Sequence, residues 1–274
     1  MHAHVIRDEH SDLVAGYRGH HGEFRDNGCV FVKQLLTAAE VDELRAQLQR
    51  FIRDVAPTLD DGSVIRTPGG ALRALENLPV DPFFHAYASS PRWMALASAL
   101  LGGPVLPAVP DELSGSFGGQ VYIDMPPGAG TSTPPHQDAR YHNLIPPESV
   151  NIWLALDQTD ASNGGMRYVR GSHRRGMRSH ATDGQQPGFS MAISDFGPGD
   201  LDGEIAFSLE PGDAVAHHGL TIHRAPENRS ARHRRAFCMF MRRADCRRDE
   251  AGHARYMAIL DAHVAHFHLK PGAR

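Results

Sequence analysis

Short β-rich segments recur at even spacing through the second half of this chain, and they constrain its fold more than any other feature. Turn-forming residues separate them, as in Asn163-Gly164-Gly165 and Pro211-Gly212-Asp213. Strands of this length and spacing are typical of a β-barrel or a β-sandwich. The predicted strands are residues 120–124, 150–156, 166–169, 214–217 and 235–242.

The first hundred residues predict helices that flank this β-rich region. Thr37 is suited to cap a helix, because Glu40 follows three residues later as the partner of a capping box. A second helix is predicted over residues 91–101. The Gly- and Pro-rich residues 57–70 are expected to form a mobile loop, and residues 180–203 a long insert. We expect one domain over residues 1–274, with a core at about 24–242 and a C-terminal extension at 243–274.

The composition is that of an ordinary globular protein. Hydrophobic residues make up 41% of the chain and charged residues 22%, and the formal net charge is −4. This charge argues against nucleic acid or an acidic membrane as a partner. The three cysteines show no CxxC spacing, and the first ten residues lack an apolar stretch. We therefore expect a cytoplasmic protein without a secretory signal, a membrane span or a disulfide framework.

One short motif predicts a metal centre. In His136-Gln137-Asp138, side chains two apart on a strand would point to the same side. Two imidazoles and one carboxylate form the facial triad of non-haem Fe(II) oxygenases. The third ligand must come from elsewhere, and His217, His218 and His223 are the downstream candidates. The planar cation of Arg234 is suited to bind a carboxylate.

Other histidines weaken the motif when it is taken alone. With 18 His and 32 Asp or Glu, the pattern should occur by chance roughly twice. His10-Ser11-Asp12 and His21-Gly22-Glu23 fit it equally well, but they lack strand-like sequence on both sides. None of the tail histidines 263, 266 and 268 is followed two residues later by a carboxylate.

Four motifs make the chain resemble the phytanoyl-CoA dioxygenase family of Fe(II)/2-oxoglutarate oxygenases. They span about residues 24–242 and read FRDNGCVFVKQLLTAAEVDELRAQL, PPHQDARY, NIWLALDQTDASNGGMRYVRGSH and PGDAVAHHGLTIHRAPENRSARHRRAF. The resemblance implies a mainly β fold with flanking helices, the double-stranded β-helix (jelly roll, cupin-like). It also implies Fe(II), 2-oxoglutarate and O2 as cofactor and cosubstrates.

The resemblance also implies roles for individual residues. By position, His136, Asp138 and His223 are the iron ligands, and Arg234 binds the far carboxylate of 2-oxoglutarate. Trp153 and Gln137 match positions that line the cosubstrate pocket. The family often has a serine two residues after the distal histidine, and Ala225 stands there in this chain. We expect another hydroxyl to replace it, with Tyr122 as the candidate.

The implied reaction is hydroxylation of an unactivated C–H bond in a small molecule, with release of succinate and CO2. Related halogenases have a small apolar residue where Asp138 stands, so the carboxylate favours hydroxylation. Desaturation, cyclisation or epimerisation, and a catalytically silent cupin-like protein, are the alternatives. Candidate substrate contacts are Arg140, Tyr141 and His142. The loops after Asp138 and at 180–203 are expected to form the substrate entrance.

Overall fold

Two antiparallel sheets bury a common apolar cluster between them, as expected for a double-stranded β-helix. The computed structural model describes residues 12–59, 62–67, 69–111, 113, 119–128, 132–182 and 191–266. Within these residues the larger sheet has the order β1-β13-β8-β15-β5-β3-β2, with β4 beside β15. Its strands are β1 (Cys29–Val32), β2 (Val64–Arg66), β3 (Leu72–Leu75), β4 (Val105–Leu106), β5 (Gln120–Met125), β8 (Ser149–Ala155), β13 (Ala214–His218) and β15 (Arg234–Arg243).

The smaller sheet has the order β12-β9-β14-β6 and supplies the other wall of this cluster. Its strands are β6 (Thr133–His136), β9 (Arg167–Val169), β12 (Glu204–Ala206) and β14 (His223–Ala225). Tyr168 and Ala225 from the smaller sheet pack with Trp153 and Ala236 from the larger one. We call the space between the two sheets the inner face. Two short pairs, β7 (Leu144–Ile145) with β16 (Arg247–Arg248) and β10 (His180–Thr182) with β11 (Met191–Ile193), lie outside these sheets.

Helices cover the outer face of the larger sheet. They are α1 (Gly19–Asn27), α2 (Ala38–Arg50), α3 (Pro82–Tyr87) and α4 (Pro91–Leu101). The predicted capping box of α2 is present, because Thr37 and Glu40 exchange hydrogen bonds at the helix start. The predicted helix 91–101 is also confirmed; it ends at Gly102, which has a φ of 70°. The apolar faces of α2 and α4 pack against Leu154 and Phe237, which anchors the sheet from outside.

Alternation along the strands decides which residues reach the inner face. On β15, Phe237 and Met239 pack against the helices, whereas Ala236 and Cys238 pack between the sheets. This is the period of two that a strand imposes on its side chains. Arg234 has the same parity as Ala236 and therefore belongs to the inner face.

Two segments differ from their sequence-based prediction. Residues 57–70 are not one loop, because Val64 pairs with Leu75 in a β2–β3 hairpin. The predicted insert 180–203 contains the β10–β11 pair and α6 (Pro198–Leu201), although residues 183–190 lie outside the described part. Met191 is fully buried there. In both segments a strand pairs with one close to it in the sequence, β2 with β3 and β10 with β11, which a Gly- and Pro-rich composition does not reveal.

The C-terminal extension also takes part in the fold. Its helix α7 (Glu250–His266) packs Tyr256 and Leu260 against Met191. The stretch after Asp138 is a short helix, α5 (Ala139–His142), rather than a loop. Within the part of the chain that the structure describes, no helix combines the length and apolar character needed to cross a bilayer.

Candidate metal and cosubstrate site

His136, Asp138 and His223 meet at one end of the inner face. Strands β6 and β14 are neighbours, and His136 pairs in register with His223. The Nε2 atoms of His136 and His223 lie 3.4 Å and 3.5 Å from Oδ1 of Asp138. One potential ligand atom from each of the three residues lies within 4.8 Å of the other two. The spacing suits two imidazole nitrogens and one carboxylate oxygen around a single ion.

The alternation argument for His136 and Asp138 was wrong in its detail. Strand β6 ends at His136, and Asp138 has helical backbone angles, with φ −59° and ψ −33°, at the start of α5. The two side chains therefore converge because the chain turns after the strand. A pattern read at two positions could not show that the strand stops between them.

Hydrogen bonds fix both imidazoles with Nε2 facing Asp138. The Nδ1–H of His136 donates to Pro134 O (2.9 Å), and that of His223 donates to Thr221 O (3.0 Å). Such outer hydrogen bonds set the tautomer and orientation of a metal-binding histidine. Burial, followed by the charge of His136, lowers the pKa of His223 well below its ordinary value. His223 is therefore neutral and presents a free Nε2 lone pair.

The carboxylate of Asp138 is ionised despite its burial. Burial by itself opposes ionisation, but His223, His136 and His217 together hold the pKa of Asp138 well below its usual range. The result is a negative charge at the centre of three imidazoles, which is the charge distribution that a divalent cation requires.

The two competing histidines have other partners. His217 donates from Nε2 to the second oxygen of Asp138, Oδ2, at 3.0 Å. His218 points to the opposite side of β13, where its ring lies 6.0 Å from that of Phe24 and Nδ1 accepts from Leu220 N. His223 is the one of the three that joins the group with His136 and Asp138.

Arg234 lies deep in the inner face, and none of the residues that the structure describes offers it an anionic partner at hydrogen-bond distance. It is 1% exposed, and its Nε and Nη1 atoms are buried without a hydrogen-bond partner. Its guanidinium lies 5.3 Å above the ring of Trp153, and Nη2 contacts the sulfur of Met125. Burial lowers the pKa of Arg234 to about 9, and it remains charged at neutral pH. No described residue supplies the anion that a buried cation of this kind favours, so an anionic ligand would stabilise it.

Two further donors share this space. The indole Nε1 of Trp153 and the hydroxyl of Tyr168 are also buried, and neither has a partner in the part of the chain that the structure describes. Nearly all buried polar groups in proteins find a hydrogen bond, because leaving one unmade costs about 1–3 kcal/mol. Several orphaned donors on one face therefore indicate a cavity that receives an acceptor-rich ligand.

Sequence reasoning missed Arg73, which adds a second positive charge here. Arg73 lies on β3 and donates to Asp124 O (3.3 Å) and Thr133 Oγ1 (3.2 Å). Burial lowers its pKa, and its charge in turn lowers the pKa of Arg234. A lone arginine in a short strand carries no signal, because the contact depends on β3 lying beside β5.

Gln137 and Tyr122 do not line this cavity. Gln137 is fully buried, donates to Gly176 O and Leu220 O, and accepts from Arg178 N at 2.8 Å. Tyr122 pairs with Phe237 and packs under the helices, on the side of the sheet opposite Arg234. The prediction of Tyr122 as the replacement hydroxyl was wrong because its parity on β5 directs it outward.

Gln137→Leu tests the structural role of this glutamine. The change keeps the volume and removes the hydrogen bonds of three backbone groups, one of them buried, so we expect the free energy of unfolding to fall by about 1–3 kcal/mol. Urea denaturation measures the loss, with the exposed Gln49→Leu as the control. A variant as stable as the control would show that these hydrogen bonds contribute nothing.

The three candidate substrate residues have different surroundings. The Tyr141 hydroxyl accepts from Met191 N (3.2 Å), and its ring meets the edge of Tyr256. The ring of His142 stacks on Phe240 at 3.5 Å. The Nε atom of Arg140, by contrast, is buried without a partner. Tyr141 and His142 therefore hold the wall together, whereas Nε of Arg140 has no partner among the described residues.

Comparison with known proteins agrees with this geometry. The family model "Phytanoyl-CoA dioxygenase (PhyH)" matches residues 24–236. A phytanoyl-CoA dioxygenase of Arabidopsis thaliana is 28% identical over 68% of this chain. The matched part spans 62% of the length of that protein. The peroxisomal phytanoyl-CoA dioxygenase of Bos taurus is 23% identical over 81% of the chain, which spans 67% of it.

Solved structures show the same fold. The epimerase SnoN of nogalamycin biosynthesis, in complex with Fe3+, alpha ketoglutarate and nogalamycin RO, is 21% identical with a TM-score of 0.65 over 90% of both chains. EctD from S. alaskensis, with 2-oxoglutarate and 5-hydroxyectoine, is 17% identical with a TM-score of 0.61 over 80% of this chain and 73% of its own. The fold is therefore the predicted double-stranded β-helix. Because the family model matches most of its length, the chain belongs to the phytanoyl-CoA dioxygenase family.

Proposed function

We propose that the chain is an Fe(II)- and 2-oxoglutarate-dependent oxygenase. The observation that carries the proposal is a triad of potential metal ligands on the same inner face as a buried arginine that has no anionic partner among the described residues. His136, Asp138 and His223 would hold the iron, and Arg234 would bind the far carboxylate of 2-oxoglutarate. When bound, the iron supplies the redox chemistry that couples oxidation of the oxoacid by O2 to oxidation of a substrate.

The residues fit an iron ion in kind as well as in spacing. Two neutral imidazoles and one carboxylate are the donor set of non-haem Fe(II) oxygenases. A zinc site of the structural type would need a fourth protein ligand. The metal-ligand group found among the described residues contains three. Three protein ligands leave positions for the keto acid and O2.

The chain's own residues would bind and orient 2-oxoglutarate. Arg234 offers Nε and Nη1, and the indole of Trp153 offers Nε1; all three atoms are buried without a hydrogen-bond partner among the described residues. We propose that the Tyr168 hydroxyl takes the place of the serine that Ala225 replaces. Tyr168 pairs in register with His223 on the neighbouring strand, packs in the same cluster as Ala225, and has no partner for its hydroxyl.

Tyr168→Phe should raise the 2-oxoglutarate requirement about tenfold, since one hydrogen bond to a charged group is lost. The iron affinity should not change, because the hydroxyl binds no ligand residue. The matched control is Tyr122→Phe, which removes a hydroxyl from the opposite side of the sheet. Isothermal titration of 2-oxoglutarate into the Fe(II)-loaded protein measures the cosubstrate affinity of both variants. A separate titration of Fe(II) into the metal-free protein measures the iron affinity. Equal affinities in the two variants would rule out Tyr168.

We propose hydroxylation of a C–H bond in a small molecule as the outcome, with succinate and CO2 as co-products. The carboxylate of Asp138 occupies the position that halogenases leave free for chloride. Desaturation, cyclisation and epimerisation start from the same hydrogen abstraction. The similar structures include an epimerase and a carbocyclase as well as EctD. Mass spectrometry of the product separates hydroxylation from the other outcomes, because only hydroxylation adds one oxygen atom.

The substrate would lie beside α5 and α7. Arg140 follows Asp138 by two residues, and burial, then the like charge of Arg255, lowers its pKa. Because burial and the neighbouring Arg255 both disfavour the Arg140 cation, an anionic group on the substrate would stabilise it. This supports carboxylic acids and phosphates, including acyl-CoA thioesters, over neutral compounds.

Succinate formation tests the proposed function. The protein is loaded with Fe(II) without oxygen, mixed with 2-oxoglutarate and air, and assayed for succinate in the presence of carboxylic acids and of their amides. Without an added substrate we expect slow formation of succinate from 2-oxoglutarate. With a subset of the carboxylic acids we expect faster succinate formation. A protein that neither binds 2-oxoglutarate nor forms succinate would instead be a catalytically silent cupin-like protein.

A further inference from the structure

The two oxygens of Asp138 face different sets of partners. Oδ1 lies toward the two histidines proposed as metal ligands, at 3.4 Å from His136 Nε2 and 3.5 Å from His223 Nε2. Oδ2 accepts two hydrogen bonds of 3.0 Å each, one from His217 Nε2 and one from Asn151 Nδ2. The carboxylate therefore has one oxygen directed to the metal position and one already bound to the protein.

The two donors to Oδ2 come from neighbouring strands of the larger sheet. Asn151 on β8 and His217 on β13 are direct partners in the strand register. Both have the parity of Trp153 and Val215, so both face inward. His217 is fully buried. Because the register is fixed by the helix-covered outer face, the two donors are held in place by the core rather than by a loop.

The hydrogen-bonding pattern also defines the state of His217. An ionised carboxylate only accepts hydrogen bonds, so Nε2 of His217 carries a hydrogen. Its Nδ1 is buried and has no hydrogen-bond partner in the described part of the chain. An imidazole whose Nε2–H is used in this way cannot also bind a metal through that atom.

We infer that His217 and Asn151 are positioning residues that hold Oδ2 of Asp138 and leave Oδ1 as its single metal-binding oxygen. The inference rests on the proposed function. A carboxylate bound through both oxygens would occupy one more position on the ion. Restricting Asp138 to one oxygen keeps room for the two donor atoms of the keto acid and for O2. Removing a residue that orients a metal ligand by a hydrogen bond typically weakens metal binding about 10- to 100-fold.

The chain supplies a matched control in the next residue. His218 is also buried and also on β13, but it lies on the outer face beside Phe24. Its Nδ1 accepts from Leu220 N, and its Nε2 lies 3.9 Å from Glu148. Replacing His218 therefore removes an imidazole of the same strand without touching the carboxylate.

The test compares His217→Phe, His217→Gln, Asn151→Leu and His218→Phe under anaerobic conditions. Each protein is titrated with Fe(II), and separately with Co(II), whose ligand-field spectrum reports coordination number. We expect His217→Phe and Asn151→Leu to weaken Fe(II) binding about 10- to 100-fold and to alter the Co(II) spectrum. His217→Gln keeps an N–H donor and should restore most of the affinity. His218→Phe should match the wild type in both measurements.

Three results would overturn the inference. They are wild-type affinity and spectrum in His217→Phe, a loss in His217→Gln as large as in His217→Phe, or an equal loss in His218→Phe. Should His217→Phe fail to fold, Asn151→Leu and His217→Gln decide the question. Failure of the proposed function is seen separately, because the wild-type protein would then bind neither Fe(II) nor 2-oxoglutarate.

Discussion

Asp138→Ala is expected to lower 2-oxoglutarate-dependent succinate formation by at least about 10³-fold. The metal contributes several kcal/mol of charge stabilisation, and about 4 kcal/mol corresponds to that factor in rate. Removing Asp138 takes away one of three protein ligands and the only negative charge among them. His136 and His223 remain, so weak metal binding can survive. The measurement is succinate formed per minute at saturating Fe(II) and 2-oxoglutarate.

The control for this variant is Asp42→Ala, since that carboxylate is 72% exposed and far from the triad along the fold. It should retain wild-type turnover. Thermal unfolding of the metal-free proteins shows whether Asp138→Ala is folded. Turnover within about tenfold of the wild type in a folded Asp138→Ala protein would remove this residue from the metal centre.

Arg234→Lys and Arg234→Ala are expected to raise the 2-oxoglutarate concentration needed for half-maximal turnover by about tenfold to a hundredfold. A hydrogen bond to a charged group is worth about 1.5–3 kcal/mol, and a lysine cannot reproduce a two-point contact with a carboxylate. Iron affinity in the absence of 2-oxoglutarate should change little. This difference between the two ligands is the signature of a residue that binds the cosubstrate and not the metal.

Arg235→Lys is the matched control for Arg234. Arg235 is the next residue on β15, faces outward, and pairs with Asp157 at 2.8 Å. Its replacement should leave the 2-oxoglutarate requirement unchanged. If Arg234→Ala stays within about twofold of the wild type, or if Arg235→Lys shows the same increase, the carboxylate of the cosubstrate binds elsewhere.

Features set by local sequence were predictable. The capping box of Thr37 and Glu40 depends on residues three apart, and it is present as expected. The strands and turns of the second half also follow from short patterns of apolar, Gly and Pro residues. The meeting of His136 with His223 needed more than local sequence, and it came from the match to family motifs.

Features set by sheet order and strand parity were not predictable. Tyr122 faces away from Arg234 because of its position within β5, and Gln137 satisfies its amide with distant backbone groups. Arg73 and His217 reach the site because β3 lies beside β5 and β13 lies beside β8. A single sequence does not state which strands are neighbours, so the residues around the ligands had to come from the structure.

Anaerobic titration of Fe(II) into the protein with 2-oxoglutarate, followed by visible absorption, tests the central proposal most directly. A keto acid bound to Fe(II) through two oxygens gives a charge-transfer band that neither component has alone. The account predicts a band that saturates at one iron per chain, disappears in Asp138→Ala and requires more 2-oxoglutarate in Arg234→Lys. No band, or a band that persists unchanged in Asp138→Ala, would contradict it.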